Sequence, residues 1–145
     1  MNLSNSFTLE QFTFSETAIR KGLDNTPNDE QIANLTELAQ ALERVQQLLG
    51  PLHISSAFRS PKVNAAIGGS STSAHMEGYA ADFTCEAFGS PLEICRQIAT
   101  SDIGFDQLIQ EGTWVHISIA PTMRRDLLTA HFTGGRVSYS SGFPS

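Results

Sequence analysis

Apolar side chains at Ile32, Leu35, Leu38, Ala39, Leu42, Val45, Leu48 and Leu49 recur by threes and fours, a spacing that only a helix brings onto one face. Gly50 and Pro51 close the pattern and the Asn25–Asn28 turn precedes it, so a long helix is predicted from about Asp29 to Leu49. A helix with one apolar stripe must bury that stripe against a second layer. At 145 residues and 40% hydrophobic content the chain can build one core but not two, so residues 1–145 are read as a single domain.

The other layer is predicted to be a sheet. Upstream, Thr8 to Gly22 reads as one or two short amphipathic helices, with Ser15 and Glu16 marking a restart. After Pro51 the period changes to alternation, giving a strand that ends near Phe58. Arg59 to Ala74 is mostly loop with one helical turn around Val63 to Ile67, and a second strand fits Ala80 to Cys85. Pro91 to Thr100 is helical, with Pro91 at its start. Val115, Ile117 and Ile119 then alternate with Trp114, His116 and Ser118, preceded by a less regular strand over Phe105 to Gln110.

If the loop between those strands is Glu111, Gly112 and Thr113, antiparallel pairing sets Gln110 against Trp114, Leu108 against His116 and Asp106 against Ser118. Phe105, Ile109, Val115, Ile117 and Ile119 then share the apolar face, interrupted by Gln107. The expected architecture is α+β, an antiparallel sheet backed by the long helix. Arg124 to Phe132 is read as a short helix, and the stretch from Gly134 onward as a strand with a loose tail.

Charge narrows the partners. With 15 acidic and 9 basic residues the net charge is -6, which repels polyphosphate, and no Lys/Arg cluster reverses the field, so nucleic acid is not an expected partner. No apolar run approaches the roughly 18 residues of a membrane span, and the first residues do not read as an export leader. The expectation is a monomer, cytoplasmic as synthesised, with no membrane partner. Cys85 and Cys95 are expected to be reduced thiols, and neither has a second ligand at the close spacing of a cysteine zinc site.

The chemistry gathers around two of the four histidines. Ser73-Ala-His75-Met-Glu-Gly78-Tyr-Ala-Ala-Asp82 places an imidazole in a loop and a carboxylate at a strand start, with a glycine between them to turn the chain. His116 sits on the more polar face of its strand. Two imidazoles and a carboxylate make the three-ligand set of catalytic zinc, which leaves a fourth position for water. Spacing alone leaves open whether they converge, and Asp82 in isolation also reads as the cap of a turn. His53 and His131 have no ligand-like neighbours and are read as packed or surface residues. Gly68 and Gly69 lack the lysine and helix of a phosphate loop.

Ser73-x-His75-x-x-Gly78-x-Ala80-x-Asp82, followed by Trp114-Val-His116-Ile-Ser118, resembles the zinc D-Ala-D-Ala carboxypeptidase family, often called M15. Ser56-Ala-Phe-Arg59-Ser-Pro61-Lys-Val-Asn64 and Phe105-Asp-Gln-Leu-Ile109 are similar to the segments that precede the two histidines in that family. The resemblance implies zinc held by His75, Asp82 and His116, a compact α+β fold shared with Hedgehog signalling domains, and a substrate among the D-amino-acid-containing peptides of bacterial cell wall. It places Arg59 beside the bound peptide, where a planar guanidinium suits a carboxylate or polarised carbonyl, and puts Ser73 at a position that hydrogen-bonds near the substrate. Trp114 shares the face of His116 and reads either as a pocket wall that touches substrate or as a core tryptophan. Arg59 has its own structural alternative, pinning a loop to a helix end.

Many members carry an acidic residue three positions before the last histidine, where this chain has Thr113. A hydroxyl there cannot serve as general base, and Glu111 in the adjoining loop is the expected substitute, with Glu77 and Asp106 in reserve. If no carboxylate took that role, the chain would be a zinc-containing module that binds cell-wall peptide without cleaving it. A purely structural zinc site is disfavoured, because such sites are closed by four protein ligands. A phage-type lysis enzyme, released through a pore made by another protein, would reconcile a chain without a leader with a substrate outside the membrane.

Overall fold

A computed structural model describes residues 1–144, and its elements follow the local chemistry of the sequence. Helix α1 (Leu9–Thr13) starts at a Thr8/Gln11 capping box, and α2 (Glu16–Lys21) starts where the Ser15 hydroxyl accepts from the Ala18 N–H. The long helix α3 spans Asp29–Leu49, with Asn28 and Gln31 capping each other at its start and Gly50 at its end. Its stripe of Leu35, Leu38, Ala39, Leu42, Val45 and Leu49 is buried, while Leu48 is partly exposed. Those side chains share one core with Phe83, Leu108, Val115 and Ile117 of the sheet, so truncating one of the leucines to alanine would cost about 2–5 kcal/mol.

The described residues form a six-stranded sheet in the order β1-β2-β4-β3-β5-β6. These are β1 (His53–Ser56), β2 (Ala80–Thr84), β3 (Gln107–Gln110), β4 (Val115–Ser118), β5 (Asp126–Thr133) and β6 (Arg136–Ser141). Helix α4 (Pro61–Ala66) lies between β1 and β2 in sequence, and α5 (Pro91–Ala99) between β2 and β3. Each carries proline in its first turn after a serine cap. The fold is therefore mixed α+β within one core.

Three expectations are corrected. The sheet is not wholly antiparallel, because β5 runs parallel to β3. Strand β4 returns the chain to the start of β3, where the Asp106 N–H donates to the Ser118 carbonyl, so a strand laid on the other side of β3 from there must run in the same direction. Arg124 to Phe132 is also not helical. Met123 and Arg125 have φ of +40° and +53°, which no helix tolerates, and the residues that follow find backbone partners on both β3 and β6. Helix-forming Arg, Leu and Ala there yield to tertiary pairing.

The third correction is a register shift of one. Leu108 lies opposite Ile117, Ile109 opposite His116 and Gln110 opposite Val115, because Trp114 belongs to the loop and its carbonyl accepts from the Glu111 N–H at 3.0 Å. Leu108 therefore joins the core face, while Ile109 shares the face of His116 and Gln110 that of Val115, so an apolar and a polar residue exchange places between the two faces.

Candidate metal centre

Asp82 on β2 and His116 on β4 are directly opposed in the ladder, so both side chains leave the same face of the sheet. His75 comes from a short 3₁₀ turn, Ala74–Glu77, that the long helix holds in place. The Gln31 side chain donates to the Met76 carbonyl at 3.1 Å and the Asn34 side chain to the Glu77 carbonyl at 2.8 Å. Gly78 ends the turn at φ +81°, and a Cβ there would stand 2.8 Å from the Gln31 carbonyl oxygen. The glycine is thus required both by its backbone angle and by the approach of helix α3.

The three side chains converge. His75 Nε2 lies 3.3 Å and His116 Nδ1 3.0 Å from Asp82 Oδ1, and one ligand atom from each residue falls within 4.8 Å of the others. His75 Nδ1 is 2.6 Å from the Ala57 carbonyl oxygen, a contact that holds the proton on Nδ1 and leaves Nε2 as a lone pair aimed at the centre. Burial holds the His75 ring below the usual histidine range, although the Asp82 charge opposes it, so the ring is neutral as a ligand must be. Burial also works against the charge on Asp82, but the His116 ring, with Nδ1 at hydrogen-bond distance from Oδ1, helps to hold the carboxyl well below the usual range. A neutral Nε2 lone pair therefore faces a carboxylate oxygen at 3.3 Å, two acceptors with no hydrogen between them. A cation between them would relieve that repulsion, and the donor set suits zinc.

Around this set lie two charged groups named from the sequence. Glu111 Oε1 is 3.9 Å from His116 Nδ1, and burial, reinforced by the Asp82 charge, raises its carboxyl above the usual range despite the His116 and Arg59 contributions. Arg59 donates from Nη2 to Ser73 Oγ at 3.2 Å, and its backbone N–H donates to the His75 carbonyl at 3.2 Å. Its Nε is buried without a partner, and burial lowers its pKa even though Asp82 and Glu111 pull the other way. Ser73 Oγ also accepts from the His75 N–H, so this hydroxyl ties the arginine to the ligand turn.

Trp114 is half-buried, with its ring 6.5 Å from that of Phe132 on β5 and its Nε1 unpartnered. The reserve carboxylates are not beside the centre in the same way. Glu77 is exposed, and Asp106 is saturated by Thr122 and Arg124. His53 and His131 are exposed, and neither belongs to the cluster. Both cysteines are free and buried, and burial pushes the Cys95 thiol up to about 12.

Two neighbours of the centre carry no motif. The Ala57 carbonyl has no side chain to announce it. Tyr139 on β6 has its phenol raised by burial and by the negative charges of Glu111 and Asp82. Gly134 and Gly135, both at positive φ between Phe132 and Val137, are the sequence signal of the hairpin that brings Tyr139 beside β5.

A mixed α+β domain that sets one imidazole and a carboxylate on a sheet face and brings a second imidazole to them from a 3₁₀ turn is built like a mononuclear metal-centre protein. The family model described as Peptidase M15 matches residues 5–118, which includes all three residues, and the chain belongs to that peptidase family. A search of curated proteins finds no match. No helix is long and apolar enough to cross a membrane, among the described residues.

Proposed function

We propose that the protein is a zinc-dependent peptidase that hydrolyses D-amino-acid-containing peptides of bacterial cell wall, with the ion held by His75, Asp82 and His116. The observation that carries this reading is the convergence of His75 Nε2, Asp82 Oδ1 and His116 Nδ1 within the matched family segment. Zinc bound there supplies a Lewis acid that polarises a peptide carbonyl and lowers the pKa of water to about 7.

The remaining steps belong to side chains. Glu111, with its carboxyl raised above the usual range by burial, takes the proton of the attacking water and delivers it to the leaving amine. Arg59 holds the peptide by a carbonyl or carboxylate oxygen, its guanidinium oriented by Ser73. Trp114 forms a wall beside them. Thr113 is exposed and plays no part in proton transfer.

In this reading the domain acts as a monomer on wall peptide, has the Hedgehog/DD-peptidase fold with α3 backing the sheet, binds neither nucleic acid nor membrane, and serves in lysis of the phage type. The alternative of a binding module without catalysis loses its motive, since a carboxylate stands beside His116 even though Thr113 replaces the acidic residue. The test is hydrolysis of D-Ala-D-Ala peptides and purified wall by zinc-loaded and metal-stripped protein, with new termini identified by mass spectrometry. About one zinc per chain and cleavage only when loaded are expected. Full cleavage by stripped protein overturns the reading, and zinc binding without cleavage of any wall peptide favours the binding module.

A further inference from the structure

Strand β1 is the free edge of the sheet on the side of the candidate site. It pairs only with β2, and among the described residues no other backbone group bonds to His53–Ser56. A groove of about 450 Å³ runs beside it and touches His53, Ile54, Ser55 and Ser56 in succession. Because consecutive side chains of a strand point to opposite faces, a groove that meets four in a row lies along the edge rather than over one face. Its far wall is Phe14, Val63 and Ile67, with Phe14 58% and Ile67 43% exposed, and Arg59 also lines it.

We propose that this groove is a substrate subsite in which an extended peptide adds to β1 as a further strand, leading from Arg59 away from the metal centre. The inference rests on the peptidase reading above and extends it to substrate length. A row of unpaired N–H and C=O groups is satisfied only by another extended backbone, which identifies the occupant as peptide by its main chain. Two contacts join the groove to the centre: Ser56 is the ladder partner of Asp82, and the Arg59 N–H bonds the His75 carbonyl.

Main-chain pairing gives affinity without large side chains, which suits a substrate rich in alanine-sized residues. The bulge at Ser55, where the ladder skips a residue between Ile54 and Ser56, blunts the edge against indiscriminate pairing between copies. Four strand residues at about 3.3 Å each give roughly 13 Å of edge, enough for about four substrate residues on one side of the scissile bond. The protein is therefore expected to favour peptides extended on that side of the scissile bond over dipeptides.

The test uses zinc-loaded protein and peptides sharing one scissile bond, extended one residue at a time on either side. The expected result is a kcat/KM that rises at least about tenfold with extension on one side and levels off near four residues, roughly the affinity of one or two main-chain bonds. N-methylation along that extension should abolish the gain at alternate residues only, because a strand turns every second amide to its neighbour. Phe14→Ser and Ile67→Ser, at exposed positions, should lower the ratio of long-peptide to short-peptide kcat/KM. Rates independent of length, or methylation without the alternation, overturn the subsite while leaving the peptidase reading intact. If no peptide is cleaved the peptidase reading falls, and binding of a fluorescent tetrapeptide then decides the groove: alternating sensitivity to N-methylation supports it, and absent or insensitive binding overturns it.

Discussion

Asp82 and Asp106 sit two strands apart, each largely withdrawn from water and each holding its charge more firmly than an ordinary aspartate, yet their surroundings differ in kind. At Asp106 the Arg124 side chain donates to both oxygens at 2.9 Å, and the Thr122 hydroxyl and Arg124 N–H add bonds of 2.7 and 3.0 Å. The guanidinium is the main reason its carboxyl lies well below the usual range. At Asp82 the neighbours are two imidazoles, one of which turns a lone pair towards it. A permanent cation completes the first site, whereas the second has ligands arranged for a cation that the chain itself does not provide. One carboxylate is spent on holding the β4–β5 crossover, and the other is the one proposed to take zinc.

The sharpest way to break that contrast is Asp82→Asn, which keeps shape and removes charge. Zinc content should collapse and activity fall by at least about 10³-fold, and His116→Ala should do the same while His131→Ala changes neither. An Asp82→Asn protein that retains zinc and turnover would show Asp82 to be as structural as Asp106.

Glu111→Gln comes next in size. Zinc should remain while kcat falls by about 10²–10⁴-fold, and the acidic limb of the pH–rate profile should change, because protonating a base on the way to low pH removes activity. Unchanged turnover would leave proton transfer to something other than Glu111.

Arg59→Ala should lower kcat/KM by about 10²-fold, equivalent to a charge-assisted contact of roughly 2–3 kcal/mol, with melting temperature little altered. A large drop in melting temperature with ordinary kinetics would instead assign Arg59 to pinning the ligand turn through Ser73.

The smallest effect on activity belongs to Asp106→Asn. Zinc content and kcat should be retained while stability falls by about 1.5–3 kcal/mol, measured by urea unfolding. Because the folded-state pKa of Asp106 is depressed, its contribution is complete above the unfolded value of about 3.9 and is lost as pH falls from there through the folded value. The wild-type urea midpoint should therefore drop more steeply than that of Asp106→Asn between about pH 5 and 2.5, and parallel curves would remove Arg124 as the stabilising partner.

Local periodicity and punctuation made much of the fold legible. The stripe from Ile32 to Leu49 was long enough to register its helix to the residue, and Ser15, Ser60 and Ser90 cap helices where hydroxyl-bearing residues before a helical run do so generally. The crossover after Ser118 was not legible. Its strand is selected by the partners waiting on β3 and β6, and nothing between Arg124 and Phe132 encodes those partners locally. The same limit hides the β3/β4 register, since the carbonyl that closes the loop belongs to Trp114, a residue whose side chain reads as strand.

By itself, then, the sequence determined which residue types could serve a metal, the imidazoles of His75 and His116 and the carboxylate of Asp82, while the resemblance to a family and not their spacing singled those three out. Suitability as a ligand is a property of individual side chains. Only the tertiary structure decided that Asp82 and His116 oppose each other across β2 and β4, that helix α3 fixes the His75 turn through Gln31 and Asn34, and that Asp106 is taken out of contention by Arg124. Those outcomes depend on contacts between segments far apart in the chain. Their energies come from burial and pairing, which no local pattern records until the core has formed.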